Sequence, residues 1–247
     1  MSRGVDFVGI VGFGSFGQFV ERVVRAHAPE LSVRIHSRRH APDGERFVSL
    51  EEVGQCDAVV LACAIAEFED TLKRLAPHLA PHTTLIDVST VKEYTVAALK
   101  RLVPAQPFLA THPMFGPYSF EKKGGDLTGF RLVVTEHSLS DEDMHTLTER
   151  LTALGLVLLS MTPEEHDRLL AETLFLTHYV GQVVTEGGFA RTDIDTVSFG
   201  FLMDAVESVR QDTGLFRDVY RYNRFCEEVL ARFEAAEARV HEGLRGA

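Results

Sequence analysis

The stretch Val8-Gly9-Ile10-Val11-Gly12-Phe13-Gly14-Ser15-Phe16-Gly17 decides the architecture of this chain. An apolar run with strand character passes directly into G-x-G-x-x-G, and residues 16–28 then repeat at helical spacing. In a strand–turn–helix unit the first glycine permits a tight turn. The second lets a ligand approach the backbone, and the third lets the helix pack close to the strand. The N-terminus of such a helix attracts anions. Gly12, Gly14, Ser15, Phe16 and Gly17 are therefore expected to cradle a dinucleotide pyrophosphate.

Working outward, residues 33–36, 58–63, 84–88, 108–111 and 131–135 join 7–11 as expected strands. They are short and mostly lack polar alternation, as strands do when helices cover both faces of a sheet. Helical segments such as 16–28 and 68–75 lie between them. The alternation predicts an α/β fold, a Rossmann-type doubly wound parallel sheet over residues 1–162. Ser140 followed by Asp141, Glu142 and Asp143 starts a helix, Gly155 stops it, and residues 156–160 form one more strand. From Thr162-Pro163-Glu164-Glu165, a capping box, strand signals fade. Helices are expected over 166–185, 199–209 and 223–244, making residues 163–247 an all-helical domain. The last helix sets Phe225, Val229, Phe233, Ala236, Val240 and Leu244 on one side. That stripe suits packing within the domain or against a second copy.

The 247 residues carry a formal net charge of −11, which argues against general binding to nucleic acid or anionic membrane. Cys56, Cys63 and Cys226 lack paired spacing, so neither a disulfide framework nor a metal site is expected. Cys63 reads as a small buried side chain. The longest apolar stretch, 58–66, is too short to cross a bilayer, and no targeting peptide fits the first residues. A cytoplasmic protein acting on small molecules is the expectation.

At the end of the second strand an NAD enzyme carries an acid for the ribose hydroxyl. Here stands His36-Ser37-Arg38-Arg39-His40. Ser37 can donate to a 2′-phosphate, and Arg38 and Arg39 can offset its charge, so NADP is the expected cofactor. Two further segments follow strands: Asp87-Val88-Ser89-Thr90-Val91-Lys92 and Thr111-His112-Pro113-Met114-Phe115-Gly116-Pro117. Open α/β sheets bind ligands beyond the carboxyl ends of their strands, which draws both segments toward the crevice.

These residues resemble the prephenate/arogenate dehydrogenase family over nearly the whole chain, and look most like its NADP-using plant and cyanobacterial arogenate branch. D-V-S-T-V-K is similar to the family's D-V-x-S-V-K, and T-H-P-M-F-G-P to its H-P-M-x-G. Glu165-His166-Asp167 with Thr177-His178 resembles the family's H-D and later H. Residues 212–219 with Asn223 resemble D-P-x-L-W-R-D-I-x-x-x-N. The resemblance implies oxidative decarboxylation of a cyclohexadienyl substrate in tyrosine biosynthesis: arogenate to tyrosine, or prephenate to 4-hydroxyphenylpyruvate. His112 would be the base, and Thr90, at the family's serine, would orient it or the substrate hydroxyl. Lys92 would lie near a cofactor or substrate carboxylate, or else be an exposed lysine at a helix start. His178 and Arg217 would contact substrate, Arg217 or Arg210 standing in for the family's carboxylate-binding arginine, and the helical parts would form a homodimer. Where bacterial members carry an arginine for the substrate carboxylate, this chain has Glu207, an acid suited to the amine of arogenate.

On one straight helix His166 and His178 would lie roughly 18 Å apart and about 120° around the axis, so they would do different jobs. Two other readings stay open. A β-hydroxyacid dehydrogenase or imine reductase would share the glycine loop but has no need of H-P-M-F-G-P. A non-catalytic NADP-binding module would be indifferent to His112.

Overall fold

Apolar runs without polar alternation become the middle of a seven-stranded sheet. The computed structural model describes residues 5–246, and the chain divides into two compact units, Met1–Pro163 and Glu164–Ala247. In the first unit the strands are β1 (Phe7–Val11), β2 (Ser32–His36), β3 (Ala58–Leu61), β4 (Thr84–Asp87), β5 (Phe108–Pro113), β6 (Arg131–His137) and β7 (Val157–Ser160). Their order across the sheet is β2-β1-β3-β4-β5-β6-β7. Helices α1 (Ser15–His27), α2 (Leu50–Gly54), α3 (Phe68–Leu75) and α4 (Lys92–Leu102) connect the parallel strands. Ile10, Ile35, Val59 and Leu85 are fully buried. Val59, Leu61 and Leu85 pack against Leu72, Leu75 and Leu99, while Ile10, Val33 and Ile35 pack with Phe47. Each fully buried leucine contributes about 1.5–3 kcal/mol, so these layers, and not any one bond, hold the sheet together.

The doubly wound α/β architecture is the one expected, with one departure. β1 to β5 run parallel, but β6 is antiparallel to β5, and β7 is parallel to β6. Between β5 and β6 the one helix is the six-residue α5 (Pro117–Lys122), too short to carry the chain back along the sheet. The chain therefore reverses beside β5. The longer α6 (Asp141–Ala153), capped by Ser140 accepting from the Asp143 amide, supplies the crossover to β7. The carboxyl ends of β1 to β5 emerge on one edge of the sheet.

The second unit holds α7 (Pro163–Leu170), a π-helical turn (Ala171–Phe175), α8 (Leu176–Glu186), α9 (Val197–Val209), α10 (Thr213–Tyr222) and α11 (Cys226–Arg245). A uniform α-helix over 166–185 is corrected by the π turn. Its wider i→i+5 closure shifts the phase, so the straight-helix angle between His166 and His178 does not apply, and both are buried. At Gly181 an added Cβ would lie 2.5 Å from Val209 Cγ2, which shows how closely α8 packs on α9. The last helix begins at Cys226, not at 223: Asn223 donates to the Asp167 carbonyl and accepts from the Phe225 amide, breaking the chain between α10 and α11. Of the expected stripe Phe225 and Val229 are buried, whereas Val240 and Leu244 are 65% and 75% exposed.

Candidate active site

The turn after β1 has the geometry its glycines require. Gly12 has φ of +104°, and a Cβ there would stand 2.5 Å from the Ala62 carbonyl oxygen. A Cβ on Gly17 would lie 2.1 Å from the Gly12 oxygen, but one on Gly14 would meet nothing within 4 Å. The first rung of α1 runs from the Gln18 amide to the Gly14 carbonyl. The N–H groups of Ser15, Phe16 and Gly17 thus fall outside the helical ladder, where an anion can use them. The Phe16 side chain is half-buried and packs edge-on against Phe19 within an apolar cluster.

Beside this turn lies a crevice of about 250 Å³. It brings together Gly12, Gly14, Ser37, Arg38 and Arg39, all residues that sequence had marked, and adds Cys63, Glu67, Thr71 and Arg74. The additions come from the segment after β3, which neighbours β1 in the sheet; loops of adjacent parallel strands share an edge, and that was the signal to use. Arg38 donates to both carboxylate oxygens of Glu67, at 2.5 Å. Ser37 hydrogen-bonds His40 Nδ1 and accepts from the Arg39 amide. Burial, helped by the Arg74 charge, lowers the pKa of His36 despite its contact with the Val48 carbonyl. Cys63 is half-buried, not fully enclosed, and burial pushes its thiol up to about 11. Open space over Gly14, free helix-start amides and three crevice arginines form a donor set that suits the phosphates of a dinucleotide.

Four strands over from β2, β5 ends in His112 and Pro113. His112 is 6% exposed. Its strand carries a bulge between Ala110 and Thr111, the kind of irregularity that re-aims side chains. Lys92 is fully buried, so it is not an exposed helix-start lysine. Its ammonium donates to Asp87 Oδ2 and to the Thr111 carbonyl, each at 2.6 Å. Thr95 Oγ1 donates to the same Asp87 oxygen, the Ser89 amide to the other, and Thr111 Oγ1 to the Asp87 carbonyl. β4, α4 and β5 are thus tied together at Thr111, the residue before His112. Thr90 is half-buried, and its neighbour Ser89 presents a buried Oγ without a hydrogen-bond partner, a second hydroxyl that sequence reasoning had passed over.

His178 and Arg217 lie in the second unit, on α8 and α10. His178 Nδ1 donates to the Leu174 carbonyl at 2.9 Å. Nε2 is buried without a hydrogen-bond partner, 4.0 Å from Asp212 Oδ2, and the ring is parallel to Phe216. Arg217 is exposed. His166 Nδ1 lies 2.8 Å from Asp167 Oδ1, inside the unit. Glu207 is engaged by Arg191 at 2.8 and 3.2 Å, and those hydrogen bonds lower its pKa; its carboxylate is committed to that arginine instead of standing ready for an amine.

Residues 37–158 match the family model "Prephenate dehydrogenase, nucleotide-binding domain", and residues 183–247 match "TYRAAT1-like, C-terminal domain". The chain is thus similar to the prephenate/arogenate dehydrogenase family, whose nucleotide-binding model matches just under half of its length. Arogenate dehydrogenases 1 and 2 of Arabidopsis thaliana, both chloroplastic, are each 29% identical to it, over 97% of its length. The chain spans 40% of the first relative and 70% of the second. The prephenate dehydrogenase of A. aeolicus, solved with hydroxyphenyl propionate and NAD+, has the same fold: TM-score 0.75 at 19% identity, over 98% of this chain and 91% of that one. Arogenate dehydrogenase of Synechocystis superposes with TM-score 0.69 at 19% identity, covering 97% of this chain and 92% of its own.

Proposed function

We propose that this chain catalyses the oxidative decarboxylation of a cyclohexadienyl substrate, arogenate or prephenate, in tyrosine biosynthesis, using NADP. The observation that carries the reading is the placing of a sheltered histidine, His112, at the same sheet edge as a glycine-turn crevice lined by arginines. Gly12, Gly14 and the first amides of α1 hold the pyrophosphate; Ser37, Arg38 and Arg39 hold the 2′-phosphate. When bound, the nicotinamide accepts hydride from the ring carbon bearing the hydroxyl. His112 takes the hydroxyl proton as that bond breaks, a task for neutral imidazole near pH 7. Thr90 orients either partner through its hydroxyl. Loss of the ring carboxylate as CO2 then makes the ring aromatic and needs little help from the protein. His178 Nε2 and the exposed guanidinium of Arg217 are assigned to the substrate, Arg217 as the partner of a carboxylate. The printed names of the relatives that match 97% of the chain support arogenate. Association of two copies belongs to the same reading, and the exposed Val240 and Leu244 support it.

The test is NADP reduction by the purified chain, followed by absorbance, with arogenate and prephenate in parallel and CO2 measured as coproduct. Turnover of either with matching CO2 is expected. NADP binding with no turnover of either substrate would remove the assignment of the reaction.

A further inference from the structure

We infer that Glu67 sets the balance between NADP and NAD by holding Arg38. The inference rests on the dinucleotide reading above and adds a residue to it. Glu67 is contributed by the 3₁₀ turn Ile65–Glu67 that leads into α3, far in sequence from the arginine it meets. Both side chains line the crevice, as do Ser37, Arg39 and Arg74. One guanidinium nitrogen of Arg38 serves both oxygens of Glu67, so the arginine best placed after β2 reaches a ligand already neutralised. A 2′-phosphate must share or displace that carboxylate, and meets its negative charge at close range. A 2′-hydroxyl, being neutral, meets no such repulsion. The pair therefore taxes NADP and not NAD, narrowing the preference that Arg38, Arg39 and Arg74 would otherwise impose. The side chains are 63% and 42% exposed, so the contact is hydrated and a ligand can redirect it.

The experiment is calorimetric titration of the whole chain with NADP and with NAD, for wild type, Glu67→Gln and Glu67→Ala. Both variants are expected to bind NADP about five- to tenfold more tightly, with NAD affinity held within about twofold. A purely structural role for Glu67 would move both affinities together. NADP affinity unchanged or weakened in both variants overturns the inference while leaving the dinucleotide reading intact. Failure of the wild-type chain to bind either dinucleotide overturns both.

Discussion

Arg38 and Glu67 keep 63% and 42% of their side chains exposed, whereas Lys92 and Asp87, in the same unit, keep none. Each pair joins one cation to one carboxylate at about hydrogen-bond distance. In water the first pair gains little from its attraction and loses little when parted, so a ligand can rearrange it. The second has given up all hydration, and its attraction repays that cost only because Thr95, the Ser89 amide and the Thr111 carbonyl complete the coordination. Breaking one partner there strands a charge. The exposed pair lines the crevice beside the glycine turn, and the buried pair is bonded to the carbonyl of Thr111, the residue before His112. Glu21 lies between these extremes: its side chain is 8% exposed, but Arg46 and Arg25, which hold it, are 46% and 52% exposed.

This ordering can be broken by urea unfolding of single variants. Lys92→Met should cost about 3–5 kcal/mol, and adding Asp87→Leu should recover most of it, since no buried charge is then left alone. A loss below about 1 kcal/mol would put the pair in the surface class. Glu21→Gln should cost about 1–3 kcal/mol, because charge-assisted bonds from Arg46 and Arg25 are weakened at a buried acceptor. Arg191→Gln, which parts an exposed arginine from Glu207 and Asp204, should stay within about 1 kcal/mol of wild type.

Acid sharpens the middle case. Burial pushes the Glu21 carboxyl up, but the bonds to Arg46 and Arg25 outweigh this and leave its pKa below the usual 4.5. Its folded form binds protons less readily than its unfolded form. The stability it contributes is thus fully present above about pH 4.5 and is lost as pH falls through the lower folded value. Glu21→Gln should flatten that part of the stability curve; an identical acid slope in the variant would show that other carboxylates carry it.

How far the sequence could be read follows from how local each signal was. β1, its glycine turn and α1 are written in adjacent residues, and so are the apolar runs of β3 and β5. The direction of β6 depends on what α5 is too short to do, which no strand pattern records. The burial of Lys92 is not written in its own segment, because it depends on the Thr111 carbonyl of β5, 19 residues on, as well as on nearby Asp87. Glu67 is not legible beside Arg38 in sequence, because it arrives from beyond β3, 29 residues away. The π turn at Ala171–Phe175 shifts the helical phase without any turn residue to mark it, so its effect on the facing of His178 is not legible in sequence.

The central claim is that His112 is the base of a reaction at the nucleotide-bearing edge of this sheet. It is tested most directly by comparing wild type with His112→Asn in two measurements on the same preparation, dinucleotide affinity and kcat with the better of arogenate and prephenate. The account predicts affinity within about twofold of wild type and a kcat lower by about 10²–10⁴. Retained kcat in His112→Asn would contradict it and hand the proton to another group.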